Sequence, residues 1–111
     1  MTAYHNTQLD ALGDATRRAI LLQLLDKPQP VGELARHFPF SRPAISQHLR
    51  LLKDARLVFD RSRGTRRIYQ INPEGFAHLH GFFEQFWSVA LAAFKKKVEA
   101  TPSRGAKKKT P

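Results

Sequence analysis

The stretch Ser41-Arg42-Pro43-Ala44-Ile45-Ser46-Gln47-His48-Leu49-Arg50-Leu51-Leu52 reads as a short helix with an apolar back and a polar, cationic front. Ser41 is a good N-cap, and Pro43 falls in the first turn, where a backbone N–H has no intrahelical partner. Ile45, Leu49 and Leu52 follow the i, i+4, i+7 spacing that gathers side chains on one helical face. Arg42, Ser46, Gln47, Arg50 and Lys53 are thereby turned elsewhere. Those residue types suit a duplex, because Arg binds guanine through two hydrogen bonds, Gln binds adenine likewise, and Lys and Arg meet phosphate oxygens. The plainer reading is a solvated amphipathic helix, and the flanking sequence decides between the two.

Upstream, Leu34, Ala35 and Phe38 give a compact helical pattern that ends at Pro39. Two short helices meeting around 38–42 make a helix-turn-helix, in which the first braces the second so that its front can enter a major groove. Downstream, Leu57 to Arg61 and Arg67 to Ile71 are β-rich runs around the glycine-containing turn Ser62-Arg63-Gly64-Thr65-Arg66. A hairpin directly after a recognition helix is a wing. Arg61, Arg63, Arg66 and Arg67 would lie beside the DNA backbone or a neighbouring minor groove. An edge blunted by charge is the plainer reading of those arginines, and their position after the helix-turn-helix weighs against it.

The 111-residue chain has the length of one domain, and its formal charge of +10 calls for a polyanionic partner. Between Arg42 and Arg67 lie eight basic residues against two acids, so most of the excess sits on the proposed reading head. Residues 102–111 carry Arg104 and Lys107 to Lys109 without an acid and read as a disordered basic tail. Loose phosphate contact and a solubilising end are equally open for it. With no cysteine, disulfides and thiolate metal sites are excluded. The N-terminal residues lack an export signal and no apolar run approaches the ~20 residues of a membrane span, so a cytoplasmic protein is expected.

Leu9 and Leu12 form a short apolar pair before Gly13, and Asp14 can cap a second helix over 15–25. In that helix Ile20, Leu21, Leu24 and Leu25 are expected on one side. Arg17 and Arg18 lie in its first turn, where the helix dipole disfavours positive charge. Pairing with Asp10 and Asp14 is favoured over a DNA phosphate as the remedy. Lys27 to Pro30 reads as a stiff connection.

Asn72 as N-cap, Pro73 at the first helical position and Glu74 in the first turn open a long helix reaching about Ala100. It holds five of the eight phenylalanines and the only tryptophan, covering more than one stripe. A small domain has too little opposing surface to bury them all. A twofold homodimer through this helix and the first is therefore predicted, using Leu9, Leu12, Phe76, Leu79, Phe83, Phe86, Trp87, Ala90 and Phe94. A private aromatic core is the alternative.

The order Leu12-Gly13-Asp14-Ala15-Thr16-Arg17-Arg18, Glu33-Leu34-Ala35, Ser41 to Leu49, Leu57-Val58, Arg63-Gly64 and Tyr69 closely resembles the ArsR family of bacterial repressors. The match covers nearly everything except the tail. The resemblance implies a dimeric winged helix-turn-helix protein that binds imperfect inverted repeats and blocks transcription, often of its own operon. Carried over by position, Ser41, Arg42, Pro43, Ser46, Gln47 and His48 face DNA or support that face, with Arg63, Arg66 and Arg67 on the wing. For His48 a place against the domain is equally open.

Departures from the family pattern bear on sensing. The positions of the arsenic-sensing cysteines are Pro30, Val31, Gly32 and Glu33 here. His78 and His80 resemble half of a zinc site, but Leu91 and Phe94 stand where the other half belongs, and i, i+2 histidines do not share a helix face. A metal-independent member with no cofactor is expected. Arg56 stands where relatives usually have glycine before the first strand, and a left-handed arginine there would cost roughly 1 kcal/mol. A phosphate or Asp54 would hold it.

The expected fold is thus mainly α with a small β-hairpin, a winged helix-turn-helix in the order α-α-α-α-β-β-α. Residues 1–101 form its DNA-binding and dimerisation domain. The acids Asp54, Asp60, Glu74, Glu84 and Glu99 show no catalytic grouping, so an enzyme is not expected. Non-specific nucleic-acid binding, which charge alone would support, and a protein-interaction winged helix are the competing classes.

Overall fold

The computed structural model describes residues 2–100, with side chains from residue 6 onward. Its elements are α1 (Thr2–Leu12), α2 (Ala15–Asp26), β1 (Gln29–Pro30), α3 (Val31–Ala35), α4 (Arg42–Asp54), β2 (Val58–Arg63), β3 (Arg66–Ile71) and α5 (Pro73–Ala100). The chain divides into two units, Met1–Leu79 and a second that begins at His80, within α5. The basic tail lies outside the described residues.

One strand is added to the expected order. Gln29 and Pro30 pair antiparallel with Tyr69 and Ile68, giving a sheet in the order β1-β3-β2. Two residues among prolines carry no strand signal, and proline is tolerated there because β1 is an edge. The hairpin is also longer than expected. Arg63 pairs with Arg66, leaving only Gly64 and Thr65 in the turn. Gly64 has φ 66°, the left-handed first position that two-residue hairpins give to glycine. Its flanking residues are polar on both faces, so no alternation marked them as strand.

The core of the first unit gathers Ile20, Leu21 and Leu24 of α2, Leu34 of α3, Ile45, Leu49 and Leu52 of α4, and Leu57 and Val58. All three apolar residues on the back of α4 are fully buried. Leu25 departs from its expected place beside Leu24 and is 68% exposed, because the buried face of α2 is centred on Ile20, Leu21 and Leu24.

Arg17 and Arg18 close the C-terminus of α1. Arg17 Nε donates to the Ala11 carbonyl at 2.8 Å, and Arg18 Nη1 donates to the Leu12 carbonyl at 2.8 Å. Cations on the last carbonyls of a helix satisfy orphan acceptors and oppose the dipole's negative end. The acceptors of these bonds are backbone oxygens, and Arg17 Nη1 also lies 3.8 Å from Oδ2 of Asp14, one of the two expected carboxylates. Asp14 occupies the N-cap position of α2 without a side-chain cap bond.

The turn that follows α4 is a Schellman closure. Arg56 N–H donates to the Lys53 carbonyl at 2.9 Å and Leu57 N–H to the Leu52 carbonyl at 3.0 Å. Leu52 and Leu57, the apolar pair that accompanies this motif, are both fully buried. Arg56 takes the left-handed position with φ 62°. Its carbonyl lies against Gly75 of α5, where a Cβ would collide with it. Gln8, fully buried in α1, donates from Nε2 to the Ala55 carbonyl at 3.1 Å and the Gly75 carbonyl at 3.0 Å.

Gly75→Ala is expected to cost roughly 1–3 kcal/mol by overpacking. Arg56→Gly, which relieves the left-handed side chain, is expected to gain about 1 kcal/mol. Urea unfolding followed by circular dichroism measures both, and an unchanged midpoint for Gly75→Ala would overturn the close approach.

Candidate nucleic-acid interface

Helix α4 begins as the sequence requires. Ser41 Oγ accepts from the Ala44 N–H at 3.3 Å, and Pro43 lies in the first turn. With Ile45, Leu49 and Leu52 committed to the core, Ser41, Arg42, Pro43, Ser46, Gln47 and Arg50 all stand exposed. Arg50 Nη2 donates to Gln47 Oε1 at 3.1 Å, so these two side chains are paired at the surface. The Arg42 guanidinium lies over Gly32 at the start of α3. Between α4 and the wing is a cavity of about 330 Å³, lined by Arg42 and Ser46 on one side and Thr65, Arg66, Arg67 and Tyr69 on the other.

His48 occupies a different environment. Its side chain is 25% exposed, with Nδ1 3.5 Å from Asp14 Oδ2. Arg17 Nη1 lies 3.4 Å from the same nitrogen. The imidazole therefore joins α4 to the start of α2 instead of standing beside Gln47.

The wing arginines divide by strand alternation. In the β2–β3 register, Asp60 faces Tyr69 and Ser62 faces Arg67, whereas Arg61 faces Ile68 and Arg63 faces Arg66. Opposite residues share a sheet face and successive ones alternate. Arg67 thus lies on the face that holds Asp60, and Arg61, Arg63 and Arg66 lie on the other.

Asp60 organises the inner face. Its carboxylate, 3% exposed, accepts from Lys53 Nζ at 2.9 Å and from Arg67 Nε at 2.6 Å. Burial by itself raises a carboxyl pKa, but the hydrogen bonds and charges of Lys53 and Arg67 outweigh it and hold Asp60 below the usual aspartate value. The same contact raises the pKa of Arg67. Lys53 and Arg67 thereby fasten the end of α4 to the hairpin. Periodicity and spacing do not assign Asp60 this role. Its signal was that it is the one acid between Asp54 and Glu74, amid arginines.

On α5, Phe76 and Leu79 belong to the first unit, and Phe83, Phe86, Trp87, Ala90 and Phe94 recur at helical spacing in the second. Leu79 is buried and Phe76 packs against the core of the first unit. In the second unit Phe83, Phe86, Trp87, Ala90 and Phe94 are exposed, Trp87 at 59%. In α1, Leu9 is half-buried and Leu12 packs against the core. His80 Nε2 lies 3.4 Å from Glu84 Oε1.

The family described as "Bacterial regulatory protein, arsR family" matches residues 14–59, which run from the start of α2 into β2. The chain is 52% identical over 90 residues to the HTH-type transcriptional regulator Rv2034 of Mycobacterium tuberculosis (strain ATCC 25618 / H37Rv), covering 81% of this chain and 84% of that one. This chain belongs to the ArsR family. It is also 39% identical over 67 residues to the transcriptional repressor SdpR of Bacillus subtilis (strain 168), covering 60% of this chain and 74% of that one. Among solved structures it is similar to Mb0332 of Mycobacterium bovis, described as a homodimeric winged helix-turn-helix DNA-binding domain. That similarity has a TM-score of 0.64 and 25% identity over 86% of this chain and 85% of the other. The wing, the helix-turn-helix and the family agree, and the family is one of transcriptional regulators, not enzymes.

Because its folded pKa is lowered, Asp60 releases its proton more readily folded than unfolded, so its contribution is present above the ordinary aspartate range and is lost as pH falls through the folded value. Asp60→Asn is expected to unfold more easily than the parent above about pH 5, with the gap closing as pH falls below about 4. Urea midpoints measured across that range decide it, and a gap that widens in acid would refute the clamp.

Proposed function

We propose that this chain is a repressor that binds an inverted-repeat operator as a twofold homodimer. The observation that carries the reading is the division of α4, whose apolar back is wholly buried while Ser41, Arg42, Pro43, Ser46, Gln47 and Arg50 stand exposed beside a cationic hairpin. In this reading α4 enters the major groove. Gln47 and Arg42 read base edges, while Arg50 and Lys53 meet phosphates and Arg61, Arg63, Arg66 and Arg67 meet the flanking backbone or minor groove. Lys53 and Arg67 present N–H donors from a carboxylate that fixes them, which lowers the ordering cost of binding. His48 acts by positioning α4 on α2. The basic tail, outside the described residues, adds affinity without sequence information. The protein works in the cytoplasm without a metal or cofactor.

Gln47→Ala or Arg42→Ala is expected to erode discrimination between operator and random DNA by roughly 1–3 kcal/mol. Titrations at stated salt, against an operator selected from a random library, measure this. Equal losses on both DNAs would favour non-specific binding instead.

The homodimer is supported by the aromatic stripe left exposed on α5 and by the homodimeric character of the similar M. bovis domain. An exposed face with Phe83, Phe86, Trp87 and Phe94 is far more apolar than a monomer's surface tolerates. Leu9 and Leu12 of α1 join the interface. Trp87→Glu is expected to convert the dimer to a monomer in sedimentation equilibrium and, with only one half-site engaged, to weaken operator binding sharply. A Trp87→Glu protein that keeps the dimer mass would remove α5 from the interface.

A further inference from the structure

The outer face of the wing carries a cavity of about 480 Å³ that shares Pro30 and Arg66 with the cavity beside α4 but is lined by no residue of α4. Its rim holds Arg61, Arg63, Arg66 and Lys27, its floor Pro28, Pro30 and Ile68, and its one acid is Glu33. The pairings Pro30 with Ile68 and Ile68 with Arg61 place that floor and one arginine in a single row across the sheet. Arg63 and Arg66 form the next row, directly opposite one another. Like charges facing each other across a hairpin destabilise it, and a bound anion turns that repulsion into attraction.

Lys27 is brought there by a buried side chain. Gln29, 2% exposed, donates from Nε2 to the Gln23 carbonyl at 2.9 Å and to the Lys27 carbonyl at 3.2 Å. These bonds fix the path between α2 and β1, so Lys27 approaches the cavity from a segment separate from the hairpin. Four cations against one acid, around an apolar floor, match a phosphate ester: the phosphate takes the rim and the sugar rests on Ile68 and Pro30.

We propose that this cavity is a phosphate-ester site beyond the residues of α4, with Lys27 as its cation from outside the wing. Where the ester belongs to the DNA backbone flanking the operator, the site rests on the DNA-binding reading above. A free nucleotide offers the same chemistry.

The test compares the full-length parent with Lys27→Ala and Glu33→Gln in two titrations. One uses long duplexes and duplexes trimmed to the operator, of specific and random sequence, across a salt series. The other uses AMP alone, followed by the NMR signals of the arginine side chains. For a DNA source, Lys27→Ala weakens binding to every long duplex by about tenfold and makes the salt slope shallower by about one. That loss disappears on trimmed duplexes, the operator-to-random ratio is unchanged, and Glu33→Gln shifts affinity the opposite way. For a free-ester source, AMP moves the arginine signals of the parent and Lys27→Ala abolishes the response, while DNA binding is unaltered. If Lys27→Ala changes neither titration, the proposal is overturned. A change in the operator-to-random ratio with Lys27→Ala would also overturn it, by making Lys27 part of the base-reading surface. Failure of the DNA-binding reading is seen separately, in the Gln47→Ala ratio.

Discussion

The turn from Ala55 to Leu57 is the constraint through which the other elements of the first unit are placed. It ends α4, reverses the chain and delivers Val58 to the wing, all within a Schellman closure whose apolar pair, Leu52 and Leu57, is fully buried. The carbonyls around it are then used by other elements. Gln8 of α1 binds the Ala55 carbonyl, and Gly75 of α5 gives the Arg56 carbonyl room to approach. The start of α5 is therefore seated by backbone contact as well as by the packing of Phe76, and a residue without a Cβ occupies the point of contact. An arginine in the left-handed position is tolerated because the two closure bonds and the buried leucines over-determine the turn.

Much of this architecture was legible in the residues. Ser41 and Pro43 marked the start of α4, Asn72 and Pro73 that of α5, and the spacing of Ile45, Leu49 and Leu52 gave the buried back of α4. The glycine that relatives usually carry at Arg56 raised a left-handed residue there as a condition, and its φ is 62°. Each of these signals is local, set by one helical turn or one dihedral angle. What escaped depends on contacts distant in sequence. The strand β1 exists only because β3 lies beside it, and the buried Gln8 makes sense only with Ala55 and Gly75 in place.

The candidate site shows the same division. The residues exposed on the front of α4 could be listed from periodicity, because what faces away from a buried stripe is exposed. Their partners could not. A row of arginines in sequence does not show that period-two alternation sends Arg67 to one face and Arg61, Arg63 and Arg66 to the other. Nor does it show that Asp60 collects one cation from α4 and one from β3.

That carboxylate bears on how the wing and helix act together. Two exposed cations on separate elements would each lose side-chain freedom on meeting a phosphate, and the elements themselves would have to be held in register. A buried acid bound to both meets part of that cost during folding. The hydrogen bonds that depress its pKa show that the carboxylate is held as an anion, so the attachment persists through the neutral range without a duplex present. The arrangement also explains why an acid is acceptable on a strongly cationic surface. The Asp60 side chain is almost wholly hidden from solvent, and its charge is matched by two cations whose side chains are about half exposed. The acid therefore orders the positive surface with little loss of its outward field.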